Sequence, residues 1–88
     1  MHVSFTLSFL KMLKQLPERL RDEAIEKIEL FHNPEHHARL KGHKLRGRLL
    51  GRYSFSVNYK TRIVFRYLKT EPREALLTAI GDHDIYKE

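Results

Sequence analysis

This chain contains no cysteine, which excludes disulfides, thiolate metal sites and a cysteine nucleophile. It therefore suits a reducing compartment, and we expect it in the cytoplasm. No apolar run approaches the ~20 residues of a helical membrane span, so no membrane partner is expected. The N-terminal stretch MHVSFTLSFL is apolar, but it has no basic n-region and no small-residue cleavage site, so it does not read as a signal peptide. Repeats and low-complexity segments are also lacking. The most informative absence is of acid. Between Glu35 and Glu71 there are ten Lys or Arg residues, three His residues and no Asp or Glu.

A block of one charge sign is usually a disordered tail. Here its second half alternates as a strand does, with Tyr53, Phe55 and Val57 on one side and Ser54, Ser56 and Asn58 on the other. With 41% apolar and 32% charged residues, the 88-residue chain reads as one globular domain over residues 1–88. Its net charge of +6 favours anionic partners. A folded, strongly positive sheet with imidazoles close by points to RNA and to chemistry that cuts it.

Val3, Phe5 and Leu7 alternate with Ser4 and Thr6, which predicts a short first strand over residues 2–7. Ser8 is the expected N-cap of a helix carrying Phe9, Met12, Leu13 and Leu16 at helical spacing. Pro17 suits the first turn of a second helix, whose stripe is Leu20, Ala24, Ile28 and Phe31 and which Asn33-Pro34 ends. Residues 34–51 read as a basic loop. Strands follow over 52–57, 61–68 and 74–80, joined by polar turns at Asn58-Tyr59-Lys60 and Thr70-Glu71-Pro72-Arg73, with Gly81 breaking the last. The expected fold class is α+β: an N-terminal strand, a two-helix hairpin, then a three-stranded antiparallel meander. Ser54, Ser56, Asn58, Arg62 and Arg66 should lie on its open face, opposite the helices.

The layout, together with His43-Lys44-Leu45-Arg46-Gly47, Tyr53-Ser54-Phe55-Ser56-Val57, Arg62-Ile63-Val64-Phe65 and Gly81-Asp82-His83-Asp84-Ile85-Tyr86, resembles the RelE/ParE toxin superfamily of bacterial type II toxin–antitoxin systems. His43 and Gly81-x-His83 look most like the YafQ branch. The resemblance covers nearly the whole chain. It implies a ribosome-dependent mRNA endonuclease, neutralised by a cognate antitoxin protein and meeting operator DNA only through the antitoxin complex. By position, His43 matches the loop histidine of YafQ-type toxins, His83 their C-terminal histidine, Arg62 the strand arginine of RelE-type toxins and Tyr86 the C-terminal aromatic. Ser56 and Lys60 stand where YafQ-type toxins carry a His and an Asp. The ParE branch, which poisons DNA gyrase, and a non-catalytic member that only binds RNA or antitoxin are the alternatives.

Metal-free cleavage uses the RNA 2′-OH as nucleophile. It needs a base for that proton, an acid for the leaving 5′-oxygen and positive charge for the phosphorane. Histidine titrates near working pH and suits both proton roles. Arginine is always charged and presents a fixed fork of donors to phosphate. His43, His83 and Arg62 are therefore the candidate catalytic residues, with the two histidine roles interchangeable. Lys44, Arg46, Arg48, Arg52, Lys60 and Tyr86 are candidate RNA contacts. Tyr53 and Tyr59 are further possible stacking residues, although tyrosines in strands are more often core. His32 and His36 have a helical metal-ligand spacing, but Asn33-Pro34 interrupts that helix, and no metal or cofactor is expected.

Overall fold

The structure, a computed structural model, describes residues 2–40, 42–45 and 51–82, with Pro34, Ala38, Arg39 and His43 described by their backbone alone. In chain order the elements are β1 (His2–Phe5), α1 (Leu7–Lys14), α2 (Glu18–Phe31), a 3₁₀ helix (Pro34–Leu40), β2 (His43–Lys44), β3 (Arg52–Ser56), β4 (Arg62–Leu68) and β5 (Glu74–Gly81). They build a five-stranded sheet in the order β1-β5-β4-β3-β2. The last three strands form the expected antiparallel meander. β1 joins it as an edge strand parallel to β5, with Val3 beside Ala75 and Phe5 beside Leu77.

The helix starts follow from local hydrogen bonds. α1 is capped by Thr6, whose Oγ1 accepts from the Phe9 N–H at 3.0 Å, and not by Ser8 as expected. The first strand accordingly stops at Phe5. Pro17 stands at the N-cap of α2 with extended ψ and no side-chain cap, one place before its expected position. After α2, the Asn33 Oδ1 accepts from the Glu35 N–H at 3.0 Å and the chain enters the 3₁₀ turn. Part of the predicted basic loop is thus ordered helix, and part is the short strand β2. Gly51 has φ of 87°, a left-handed conformation that strains any residue with a Cβ, and it turns the chain directly into β3.

One apolar cluster fills the space between the helices and one sheet face. Phe9, Ala24, Ile28 and Phe31 meet Phe55, Ile63, Phe65 and Leu77 there, all buried. Phe31 is central, with ring centroids 4.5 Å from Phe55 and 4.7 Å from Phe65. His37 stacks on Phe31 at 4.8 Å, and its Nε2–H donates to the Phe31 carbonyl at 2.8 Å, which fastens the 3₁₀ turn to the end of α2.

β5 departs from strict alternation. Phe65 pairs with Leu77 and Val64 with Ala79, so Thr78 is an extra residue. Its hydroxyl donates to the Val64 carbonyl at 3.2 Å. This bulge reverses the facing of the last part of β5. Ala75 and Leu77 point into the core before it, and Ile80 does so after it. Gly81 consequently becomes the cross-strand neighbour of Arg62.

Candidate functional site

The sheet face away from the helices carries the arginines of β3 and β4. Along β4, Arg62, Val64 and Arg66 share it; along β3, Arg52, Ser54 and Ser56 do. Cross-strand pairing sets Arg52 opposite Arg66 and Ser56 opposite Arg62. Like charges directly opposite on a sheet are destabilising. Between these ends the face is not open. Ser54 is 1% exposed and Val64 2%, so Ser54 is not part of an exposed platform as the alternation alone suggested. Among the described residues of β3 and β4, the open polar surface on this side lies at the two ends.

Arg62 is half-buried, and its Nη1 donates to the Ser56 Oγ at 2.7 Å. The serine thereby orients one edge of the guanidinium, a planar fork that can grip two phosphate oxygens at once. The neighbouring turn is fixed by Asn58, whose Oδ1 accepts from the N–H groups of Lys60 and Thr61 at 2.9 Å each. That turn presents Lys60 and Tyr59 to solvent, with Tyr59 92% exposed. A fixed guanidinium, an ammonium and an exposed aromatic ring therefore occupy one end of the β3–β4 hairpin.

Backbone register relates the predicted histidine positions to this end. His43 pairs with Ser54, two residues along β3 from the partner of Arg62. Two strand spacings and two residues of rise put the His43 and Arg62 backbones roughly 12 Å apart. His83 lies outside the described residues. The chain reaches it from Gly81, which pairs with Arg62. Arg46, Arg48 and Tyr86 also lie outside the described residues.

The remaining predicted contacts separate. Lys44 pairs with Tyr53 and lines an aromatic pocket with Phe31, His37 and Phe65 on the helix side, away from Arg62. Arg52 is on the Arg62 face but at the other end of the strands. Lys60 is two residues from Arg62 in the turn, where it lines a pocket with Pro17, Leu20 and Glu23. Tyr53 packs against Phe65 at 5.6 Å, as a strand tyrosine in a core does. Among the described residues no group of His, Asp or Glu side chains could hold a metal ion. No helix among them is long and apolar enough to cross a membrane. Sequence reading missed the Arg52–Arg66 opposition, because alternation assigns a face but not a register.

The architecture is that of the small α+β toxins of toxin–antitoxin systems. The sequence matches no family profile and no characterised protein. The folds of solved structures match it from end to end. YafQ from E. coli strain BL21(DE3) superposes with a TM-score of 0.78 at 13% identity, over 98% of this chain and 97% of that one. A YoeB/ParE toxin from Agrobacterium tumefaciens gives 0.75 at 17%, over 94% and 99%. A chain of the toxin–antitoxin complex RelBE2 from Mycobacterium tuberculosis gives 0.70 at 22%, over 93% and 96%. The chain thus has the RelE-like fold that its motifs suggested.

Proposed function

We propose that this protein is the toxin of a type II toxin–antitoxin pair, acting in the cytoplasm as a metal-free endoribonuclease on mRNA at the ribosome. The observation that carries this reading is the sheet face itself. Arg52 stands against Arg66, and Arg62 lies further along the same face with its guanidinium held by Ser56. Three arginines gathered on one face, one of them with its guanidinium held in place, suit a polyanion.

In this reading Arg62 clamps the scissile phosphate. His43 and His83 share the proton roles. One takes the proton of the 2′-OH as that oxygen attacks phosphorus, and the other protonates the departing 5′-oxygen, leaving a 2′,3′-cyclic phosphate. Each well-placed acid or base contributes about 10²–10⁴-fold. Lys60 adds charge beside Arg62, and Arg52 and Arg66 track the backbone. Arg46, Arg48 and Tyr86 are assigned to RNA by sequence. An antitoxin that supplies acids and apolar anchors would silence the protein, as solved complexes such as RelBE2 suggest by their composition. Operator DNA would be met only through that complex.

Primer extension on cellular mRNA after induction tests the proposal. Discrete cleavage sites should appear with the natural protein and vanish with Arg62→Ala and with His83→Ala, both still folded and antitoxin-binding. Growth inhibition that survives both changes would exclude these residues from the chemistry. DNA breaks and filamentous cells without mRNA cleavage would instead assign the gyrase-directed activity.

A further inference from the structure

Far from Arg62, where β4 runs into the turn before β5, the molecule has an open cleft of about 550 Å³. Gly51, Tyr53, Tyr67, Lys69, Glu71 and Arg73 are among its lining residues. It lies six residues along β4 from Arg62, about 20 Å away, and on the opposite sheet face. The candidate cleavage site does not extend to it. We propose that this cleft is a second binding site for single-stranded RNA, in which one base stacks on the Arg73–Tyr67 pair and Lys69 meets a neighbouring phosphate.

The walls argue for a base. Tyr53 and Tyr67 meet edge to face at 5.1 Å, and both rest on Phe65, so their rings are held by the core before anything binds. The Arg73 guanidinium lies 3.8 Å over the Tyr67 ring centre, flat enough a group to extend the stack by one layer. Nucleic-acid-binding proteins stack unpaired bases on aromatic rings and on guanidinium planes alike. Arg73 is exposed, so the stack ends at solvent.

Charge points the same way. Lys69 and Arg73 outweigh Glu71 in the lining, on a chain of net charge +6. Glu74, which accepts from the Ser4 hydroxyl at 2.7 Å, is not among the lining residues. The volume lies within the range of small-ligand pockets. An acidic peptide would use the two cations but has no use for stacked flat faces. The pairing of faces with cations therefore selects a nucleotide.

The test is binding, so it is independent of cleavage. A short fluorescent oligoadenylate with 2′-O-methyl groups cannot be cut by 2′-OH attack, and its anisotropy is titrated with the protein. Tyr67→Leu should weaken binding about 5- to 150-fold, the range of one lost base stack. Tyr67→Phe should keep the affinity. Arg73→Gln, an exposed change that does not threaten the fold, should weaken binding by removing the outer layer of the stack, and Lys69→Gln should reduce the log–log salt slope by about 0.7. An abasic oligomer of equal charge should bind the natural protein only as well as the oligoadenylate binds Tyr67→Leu. Unchanged affinity in a folded Tyr67→Leu or in Arg73→Gln would overturn the proposal. So would equal binding of the abasic oligomer or of polyglutamate matched in charge, which would mean that the cleft reads charge alone. Loss of mRNA cleavage in Arg62→Ala alongside unchanged binding by Arg73→Gln would reject this cleft and leave the proposed activity standing. The reverse pattern would do the opposite.

Discussion

The two faces of this sheet solve opposite problems with the same strands. On the helix side, Phe55, Ile63 and Phe65 interlock with Phe31 and Phe9, and aromatic stacking closes the core. On the other side the same strands present Arg52, Arg62 and Arg66 around a buried middle of Ser54 and Val64. One face provides stability. The other collects positive charge, which favours anionic partners. A surface that gathers arginines at strand ends is where binding and chemistry should be sought.

Substitutions can pull the two faces apart. The largest effect on the fold should come from Phe31→Ala. Losing this buried ring should cost about 3–5 kcal/mol in urea unfolding, enough to threaten a domain of this size. Arg62→Ala should do the reverse. Unfolding should shift by at most about 1.5–3 kcal/mol, the worth of a hydrogen bond from a charged group to Ser56. RNA cleavage should fall about 10²–10³-fold, the usual effect of removing one donor to transition-state charge. If Arg62→Ala instead unfolds the protein and spares cleavage, the division of labour between the faces is wrong.

Gly51→Ala probes the strand entrance. Nothing lies within 4 Å of an added Cβ, so the cost is that of the left-handed backbone alone, about 1–2 kcal/mol. Thr6→Ala should cost about 1 kcal/mol by removing the cap of α1. A change well below this would mean that Ser8, and not Thr6, caps the helix in solution. The smallest and most diagnostic change is Arg66→Gln. Arg66 is exposed, so stability should change by no more than about 0.5 kcal/mol. The log–log salt slope of single-strand RNA binding should fall by about 0.7. A variant with an unchanged salt slope would show that this face does not meet phosphate.

Much of the fold was legible in the residues. The alternation in 52–57 and 61–68, the helical stripe ending at Phe31 and the polar turn at Asn58 each declare one local geometry. The parallel docking of β1 was not legible, because no sequence pattern distinguishes an edge strand that pairs with its sequence neighbour from one that crosses the domain to β5. β2 was hidden by its length, since two residues show no period. Ser54 was assigned to an open surface on polarity. The register places it between β2 and Val64 in the closed middle of that face. Tyr67 and Arg73 lie on either side of a turn, and their stack was invisible to any reading by strand. The bulge at Thr78 matters most for the candidate site. Strict alternation would turn Ala79 inward and Ile80 outward, and Gly81 would not stand beside Arg62.

The order of residues alone settled where the two α-helices and the three meander strands fall, where the positive charge accumulates and which side chains could carry acid–base chemistry, because those properties depend on neighbours within a turn or two. Folding in three dimensions decided which arginines face one another, which serine holds a guanidinium and that Gly81 stands beside Arg62. These depend on strand register and one extra residue in β5, which are set by how the whole core packs.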